Sequence, residues 1–548
     1  MYAKKIVPLQ AEMCMCVRVG TRERKNIIKV AETTGTYKTM PPRMVGTKPR
    51  TWRERMMQRY GMDTSSMTGQ RALTVPNWMV GKSMIFFFIA MFACWGVFGH
   101  VPEFGLWMVA SISVVLFFYG GRTMSRSWAK AGEKRFLRNV FIAGFLARLI
   151  WVLYCYFVFN PEHFGNTFGD AADTDWYMNF GKGIAQWIRG ESYDSLAQVR
   201  AVNLAAIDDM GYPMLLGIGY AIWGDWSDVF MPMMVKCIAG AYSAICIYRV
   251  AKRHFGVGTG RMAAVFVCLN PNMIYWCGNM FKEAEMVCIC CIFVDEIDKA
   301  LSSNKLGLRA LLPGIMAGFS LFFFRAALGI SSFLAVFGHI VFVSNKVLTN
   351  GKKIIAGILV GLTLLVGVGD SLRDKTEKIF ETAQTTEAQK KNMEWRSEIK
   401  AGNKFAKYAS AGIFAPLIFT IPFPTFNAAQ EGQYLQIQLS GGSFVKNIFS
   451  FFVILVMFLM LISGEWRRHV FILAYTLGYL MVLVLSNFAQ SGRFHMPIMP
   501  MLMLFAAYGV QMAKGNAKMR RGFTIVLILE IAVCIAWNWF KLAGRGLV

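Results

Sequence analysis

Tyr212-Pro-Met-Leu-Leu-Gly-Ile-Gly-Tyr-Ala-Ile-Trp223 is the stretch on which the topology of this chain turns. It is apolar throughout, and counting it as a membrane crossing inverts every loop that follows. About a dozen residues fall short of the roughly 17–25 that a helical span needs. The segment therefore reads as a helix lying at the outer surface of a bilayer. With that choice the basic loops fall on one side. They hold Arg122, Arg126, Lys130, Lys134, Arg135 and Arg138; Arg249, Lys252 and Arg253; Lys346, Lys352 and Lys353; Arg467 and Arg468; and Lys514, Lys518, Arg520 and Arg521. The opposite short connections carry few cations, the asymmetry expected of a chain whose N-terminus is cytoplasmic.

The rest of the chain supports that reading. Its 548 residues are 55% hydrophobic and 14% aromatic, with a mean hydropathy of +0.42, far more apolar than a soluble enzyme. The pattern predicts an all-α polytopic membrane protein with about thirteen spans. They run near 83–99, 104–119, 137–159, 229–248, 260–277, 284–300, 308–323, 326–343, 354–369, 445–463, 470–487, 494–512 and 522–540. Period-2 alternation in short strands is absent, which excludes an outer-membrane barrel. The net charge of +26 belongs to the N-terminal tail and the short loops, and so points to anionic membrane lipid rather than nucleic acid. Most of the 12 cysteines lie inside apolar runs, so no disulfide framework is implied. Cys288, Cys290 and Cys291 have no His beside them and read as small buried hydrophobes.

Five regions follow. Residues 1–82 form a basic tail without sustained apolar period, unlike a cleavable signal, and are expected to be largely disordered and cytoplasmic. Residues 83–136 are a transmembrane hairpin with a basic cytoplasmic loop. Residues 137–369 form a transmembrane core containing an outward loop, 160–228, that is acidic, aromatic and helical. Residues 370–444 begin polar and turn apolar around Pro416, Pro422 and Pro424, as amphipathic segments over a membrane do. Residues 445–548 are C-terminal transmembrane helices. The weakest span is 284–300, whose end carries Asp295, Glu296 and Asp298.

The chemistry concentrates in the first outward loop, at Asp170-Ala-Ala-Asp173-Thr-Asp175-Trp-Tyr177. Clustered carboxylates suit a place where an acceptor hydroxyl must lose its proton, because a neighbouring negative charge raises carboxylate basicity. Three hard oxygen donors also allow a divalent cation at Asp170, Asp173 and Asp175. An exposed acidic turn capping the following helix gives the same pattern. Cations stand near the outward ends of distant spans: Lys236, Lys282, Arg325 and Arg493. Arg493 lies in Ser491-Gly-Arg-Phe-His495-Met-Pro497, and its fork geometry suits phosphate oxygens. Lys236 and Arg325 also fit simple snorkelling to headgroups. Arg148, inside a span, has no assigned role.

In order and character these pieces resemble the GT-C superfamily of polytopic glycosyltransferases. They are the acidic first loop, Gly211-Tyr212-Pro213, Asn270-Pro271, Phe281-Lys282-Glu283-Ala-Glu285 and the Arg493–His495 stretch. Within that superfamily they are similar to protein O-mannosyltransferases and the aminoarabinose transferases of lipid A. The resemblance covers roughly 137–512. It departs from the family at the acidic pair, since Thr174 separates Asp173 from Asp175, and so leaves the base open among Asp173, Asp170 and Asp175. The resemblance implies a GT-C-like bundle and an enzyme that moves a sugar from a polyprenyl-phosphate carrier to a glycan, lipid or protein acceptor. It implies inverting displacement at the outer face, with Asp173 as base. Arg493, Arg325, Lys282 and Lys236 would meet the donor phosphate; Tyr177, Glu283, His495 and Tyr212 would contact substrate. An O-antigen-type polymerase or ligase is the nearest alternative, and a transporter of lipid or glycan a more distant one, since no internal repeat is visible. The outward loops lack cysteines and glycosylation sequons, which favours a bacterial inner membrane.

Overall fold

The structure is a computed structural model and describes residues 74–163, 171–191, 209–224, 229–302, 308–343, 417–429, 434–485, 491–544 and 546–548. Asp170, the expected span 354–369, and most of 1–82 and 370–444 lie outside the described residues. Every regular element among the described residues is helical. Seven helices are long and apolar enough to cross a membrane: Asn77–Phe98, Phe104–Ser127, Glu133–His163, Phe230–Leu269, Ser440–Ser463, Met496–Lys514 and Ala517–Ala543. Large side chains such as Phe92, Ile150, Phe157, Phe458, Leu461 and Ile528 stand exposed on them. An apolar surface of that kind is what hydrocarbon solvates. This is a helical integral membrane protein.

Seven candidates replace the thirteen expected spans, for identifiable reasons. The expected 229–248 and 260–277 are two arms of one element, Phe230–Leu269, broken only at Gly256. Three others, Arg309–Phe324, Ala326–Ile340 and Val470–Val484, are apolar but shorter than a full span. The expected 284–300 is the helix Glu283–Ser302, whose buried Asp295 and Asp298 make it too polar to qualify. The last, 354–369, is not described.

Gly256 has φ 85° and ψ 171°, a region essentially closed to residues with a Cβ. It reverses the chain with no loop, so that a Cβ on Gly260 would lie 3.0 Å from the Tyr248 carbonyl oxygen. Gly256→Ala is expected to cost about 1–3 kcal/mol. The check is a lower thermal unfolding midpoint of the purified protein in detergent; an unchanged midpoint refutes it.

The nearly enclosed helix Met499–Lys514 is the centre of the bundle, packed against Phe230–Leu269 and Ser440–Ser463. Glu133–His163 packs along Phe230–Leu269, and Ala517–Ala543 lies against Asn77–Phe98. Arg148 is fully buried and donates to the carbonyls of Gly144 (2.9 Å), Cys268 (2.9 Å) and Val267 (3.4 Å). Its role is therefore structural. These carbonyls lie in the last turn of Phe230–Leu269, where a helix has no donors of its own to offer.

Polar side chains gather at two ends of the bundle. Lys236 and Arg253 are separated by about 25 Å along one helical arm, and each belongs to a different cluster. Around Arg253, the guanidinium holds Asp298 at 2.6 Å and Asp295 at 2.8 Å, while Arg249 meets Asp295 at 3.2 Å. His254 bonds Asp298 at 2.7 Å and His469 at 2.8 Å. This cluster ties together the ends of three helices. Lys236 belongs to the other end.

Candidate functional site

The helix Ala171–Arg189 places Asp173 in its first turn. An acidic residue there is favoured by the helix dipole, and its side chain remains half exposed. Thr174 and Tyr177 are buried beneath it, so Asp173 borders the inner face. Asp175, two residues on, is exposed. The second short helix, Gly211–Trp223, packs along the first, with Gly181 and Gly217 at the crossing. A Cβ on Gly217 would meet Ile184 at 2.5 Å, so only glycine permits this approach. The stretch Tyr212–Trp223 is thus a 13-residue helix beginning at Gly211, paired with the acidic helix.

The long helix Phe230–Leu269 ends at the turn Asn270-Pro271. Asn270 caps a short helix, Pro271–Tyr275, by accepting from the Met273 N–H at 3.2 Å. A single helical turn, Trp276–Gly278, follows, and the chain then enters Glu283–Ser302 with Glu283 and Glu285 in its first turn. Phe281, Lys282 and Glu283 are all buried.

Arg493 links these pieces. Its Nη1 donates to Asp173 at 2.5 Å and its Nε to Glu283 at 2.5 Å, and its plane lies 4.3 Å from the centre of the Phe281 ring. Burial works against its charge, but Glu283, Tyr177 and Asp173 outweigh that and hold it above the ordinary arginine range. Arg325 is the residue between the helices Leu308–Phe324 and Ala326–Val343. It approaches the same Glu283 oxygen at 3.8 Å, donates to Tyr479 at 2.9 Å and stacks on Phe494 at 4.2 Å.

Lys282 donates to Asp209 and, at 2.7 Å, to the Phe324 carbonyl, and sits 5.9 Å over the Tyr177 ring. Lys236 is fully buried, not a snorkelling side chain. It donates to the Phe281 carbonyl and to Glu285 at 2.9 Å, and lies 4.3 Å over the Tyr212 ring. Tyr177 and Tyr212 meet edge-to-face at 5.3 Å. Burial pushes the Tyr177 phenol up, so it remains a neutral hydrogen-bonding group.

The structure therefore brings Asp173, Arg493, Arg325, Lys282, Lys236, Glu283, Tyr177 and Tyr212 to one end of the bundle. His495 is buried beside them, 2.9 Å from Lys446 through Nδ1. Asp175 is on another face of its helix, and Asp170 lies outside the described residues. Among the described residues no group of three acidic, His or Cys side chains is placed to hold a metal ion.

Three participants were not anticipated from sequence. Asp209 stands just before Gly211-Tyr212-Pro213, where a charged loop carries no distinctive signal. Glu285 was visible only as the end of a quoted motif. Lys446 opens an apolar run, and an ionisable side chain there is itself a functional indicator.

Chemically, the arrangement offers a half-exposed carboxylate beside a guanidinium, with three more cations converging behind it. Glu283 Oε2 is buried with no hydrogen-bond partner among the described residues, which leaves an acceptor available to a hydroxyl or another donor. Compared with known protein families, with curated sequences and with solved structures, the chain matches none of them.

Proposed function

We propose that this protein is a GT-C-like glycosyltransferase that takes a sugar from a polyprenyl-phosphate carrier at the outer face of the membrane. In this reading the N-terminus is cytoplasmic, the host is a bacterial inner membrane, and all thirteen expected spans belong to the membrane domain. The observation that carries it is the meeting of Asp173 and Arg493, 320 residues apart in the chain, in one polar cluster.

The acceptor O–H gives its proton to the Asp173 carboxylate as its oxygen attacks the anomeric carbon. The bond from that carbon to the phosphate oxygen breaks, its electron pair stays on the lipid phosphate, and the sugar inverts. Charge on the departing phosphate is met by Arg493, then Arg325 and Lys282. Lys236 holds the Phe281 carbonyl and Glu285, and so fixes the turn that presents Lys282 and Glu283. The rings of Tyr177, Tyr212 and Phe281 are buried and back the cationic cluster, with Lys236 over Tyr212 and Arg493 over Phe281.

Mass spectrometry of the lipid that copurifies with the protein tests the proposal. A polyprenyl phosphate or its monoglycosylated form is expected. A lipid-linked oligosaccharide instead, together with no turnover of a monosaccharide-phosphate lipid, would replace the transferase by a polymerase or ligase.

A further inference from the structure

The partners of the buried cations fall into two classes. Glu283 and Glu285 have side chains 0% and 8% exposed. Asp173 and Asp209 are 51% and 45% exposed, yet each is bonded to a cation that is itself largely enclosed: Arg493 at 18% and Lys282 at 4%. The first pair belongs to the packed first turn of Glu283–Ser302. The second pair comes from separate parts of the first outward loop, the start of Ala171–Arg189 and the second residue before Gly211–Trp223.

A cation in such a site is costly to leave without an anion. A bound phosphate would satisfy both, since its oxygens accept charge-assisted hydrogen bonds from guanidinium and ammonium alike. Arg493 and Lys282 also share a neighbourhood: Lys282 lies between Phe281, which Arg493 covers, and Glu283, which Arg493 binds, and Tyr177 is close to both.

We infer that Asp173 and Asp209 are built-in stand-ins for the donor's phosphate. Each caps one cation in the free protein and is displaced when the lipid phosphate arrives. The inference rests on the glycosyltransferase reading and adds an order of events to it. While Asp173 is bonded to Arg493, its Oδ2 is occupied by that guanidinium. Phosphate binding to Arg493 releases this oxygen, so both carboxylate oxygens are open to the acceptor once a donor is in place.

The experiment is calorimetric titration of the full-length protein in detergent with farnesyl monophosphate, with farnesol as the phosphate-free control. Asp173→Asn and Asp209→Asn should each bind the phosphate about fivefold more tightly than wild type, the scale of one partly exposed ion pair. Glu191→Gln removes the same charge about 25 Å away along the first helix, and should leave affinity unchanged. Wild-type binding with no gain, or a loss, in both Asp variants overturns the stand-in role while leaving the transferase reading intact. Equal tightening in all three variants also overturns it, because a long-range field would then be the cause. No phosphate-dependent binding by wild type or either Asp variant removes both.

Discussion

Asp173→Asn is expected to lower sugar transfer by about a thousandfold, within the range assigned to a general base. The substitution is isosteric and keeps an oxygen that accepts from Arg493. Because the Asp173 side chain is half exposed, little folding energy is at stake and membrane insertion should be unaffected. Transfer from a radiolabelled polyprenyl-phosphate sugar is the measurement, with expression and unfolding midpoint as controls. Normal transfer would remove Asp173 as the base and shift the role to Asp175 or Asp170. The same variant separates two properties, since it is expected to bind a lipid phosphate better while using it worse.

Arg493→Lys carries the second large effect, about a hundredfold in kcat/KM for the donor, equivalent to about 2.7 kcal/mol. Charge is kept, but a single ammonium lacks the planar fork that reaches Asp173 and Glu283 together. The flat contact with the Phe281 ring is also lost. Lysine is the informative choice because alanine would leave Glu283, fully buried, with the 3.8 Å contact to Arg325 as its remaining ion pair among the described residues, and a folding defect would obscure the kinetics. Steady-state kinetics against donor and acceptor separately give the check. An unchanged donor parameter would take Arg493 out of the phosphate site.

Much of this arrangement was readable from the residues. Hydropathy and the placement of Arg and Lys were enough for a helical membrane protein, because hydrocarbon leaves the backbone few choices. The approach of Asp173 to Arg493 was expected through the family resemblance alone, which assigns the base and the phosphate-binding cation to one site. Gly256 was not readable as a hinge. Three glycines in Phe255-Gly256-Val-Gly258-Thr-Gly260 do not reveal which one takes a positive φ, and the two arms look like separate spans with an ordinary loop. Lys236 stayed open between phosphate contact and snorkelling for a related reason. Position near a helix end suggests snorkelling, whereas burial against Glu285 and the Phe281 carbonyl depends on how three remote segments pack. Asp209 shows the same dependence, since only the fold discloses that its neighbour is Lys282.

The Arg148 contacts have a consequence for how this chain tolerates change. A positive charge in the middle of a span looks like machinery, yet here it works as a splint, supplying donors to the carbonyls of Val267 and Cys268. The need for it arises where Phe230–Leu269 ends, because the last carbonyls of a helix have no donor within that helix. An apolar residue at 148 would strand both of them inside the bundle, so this position should accept only another long side chain that carries N–H donors.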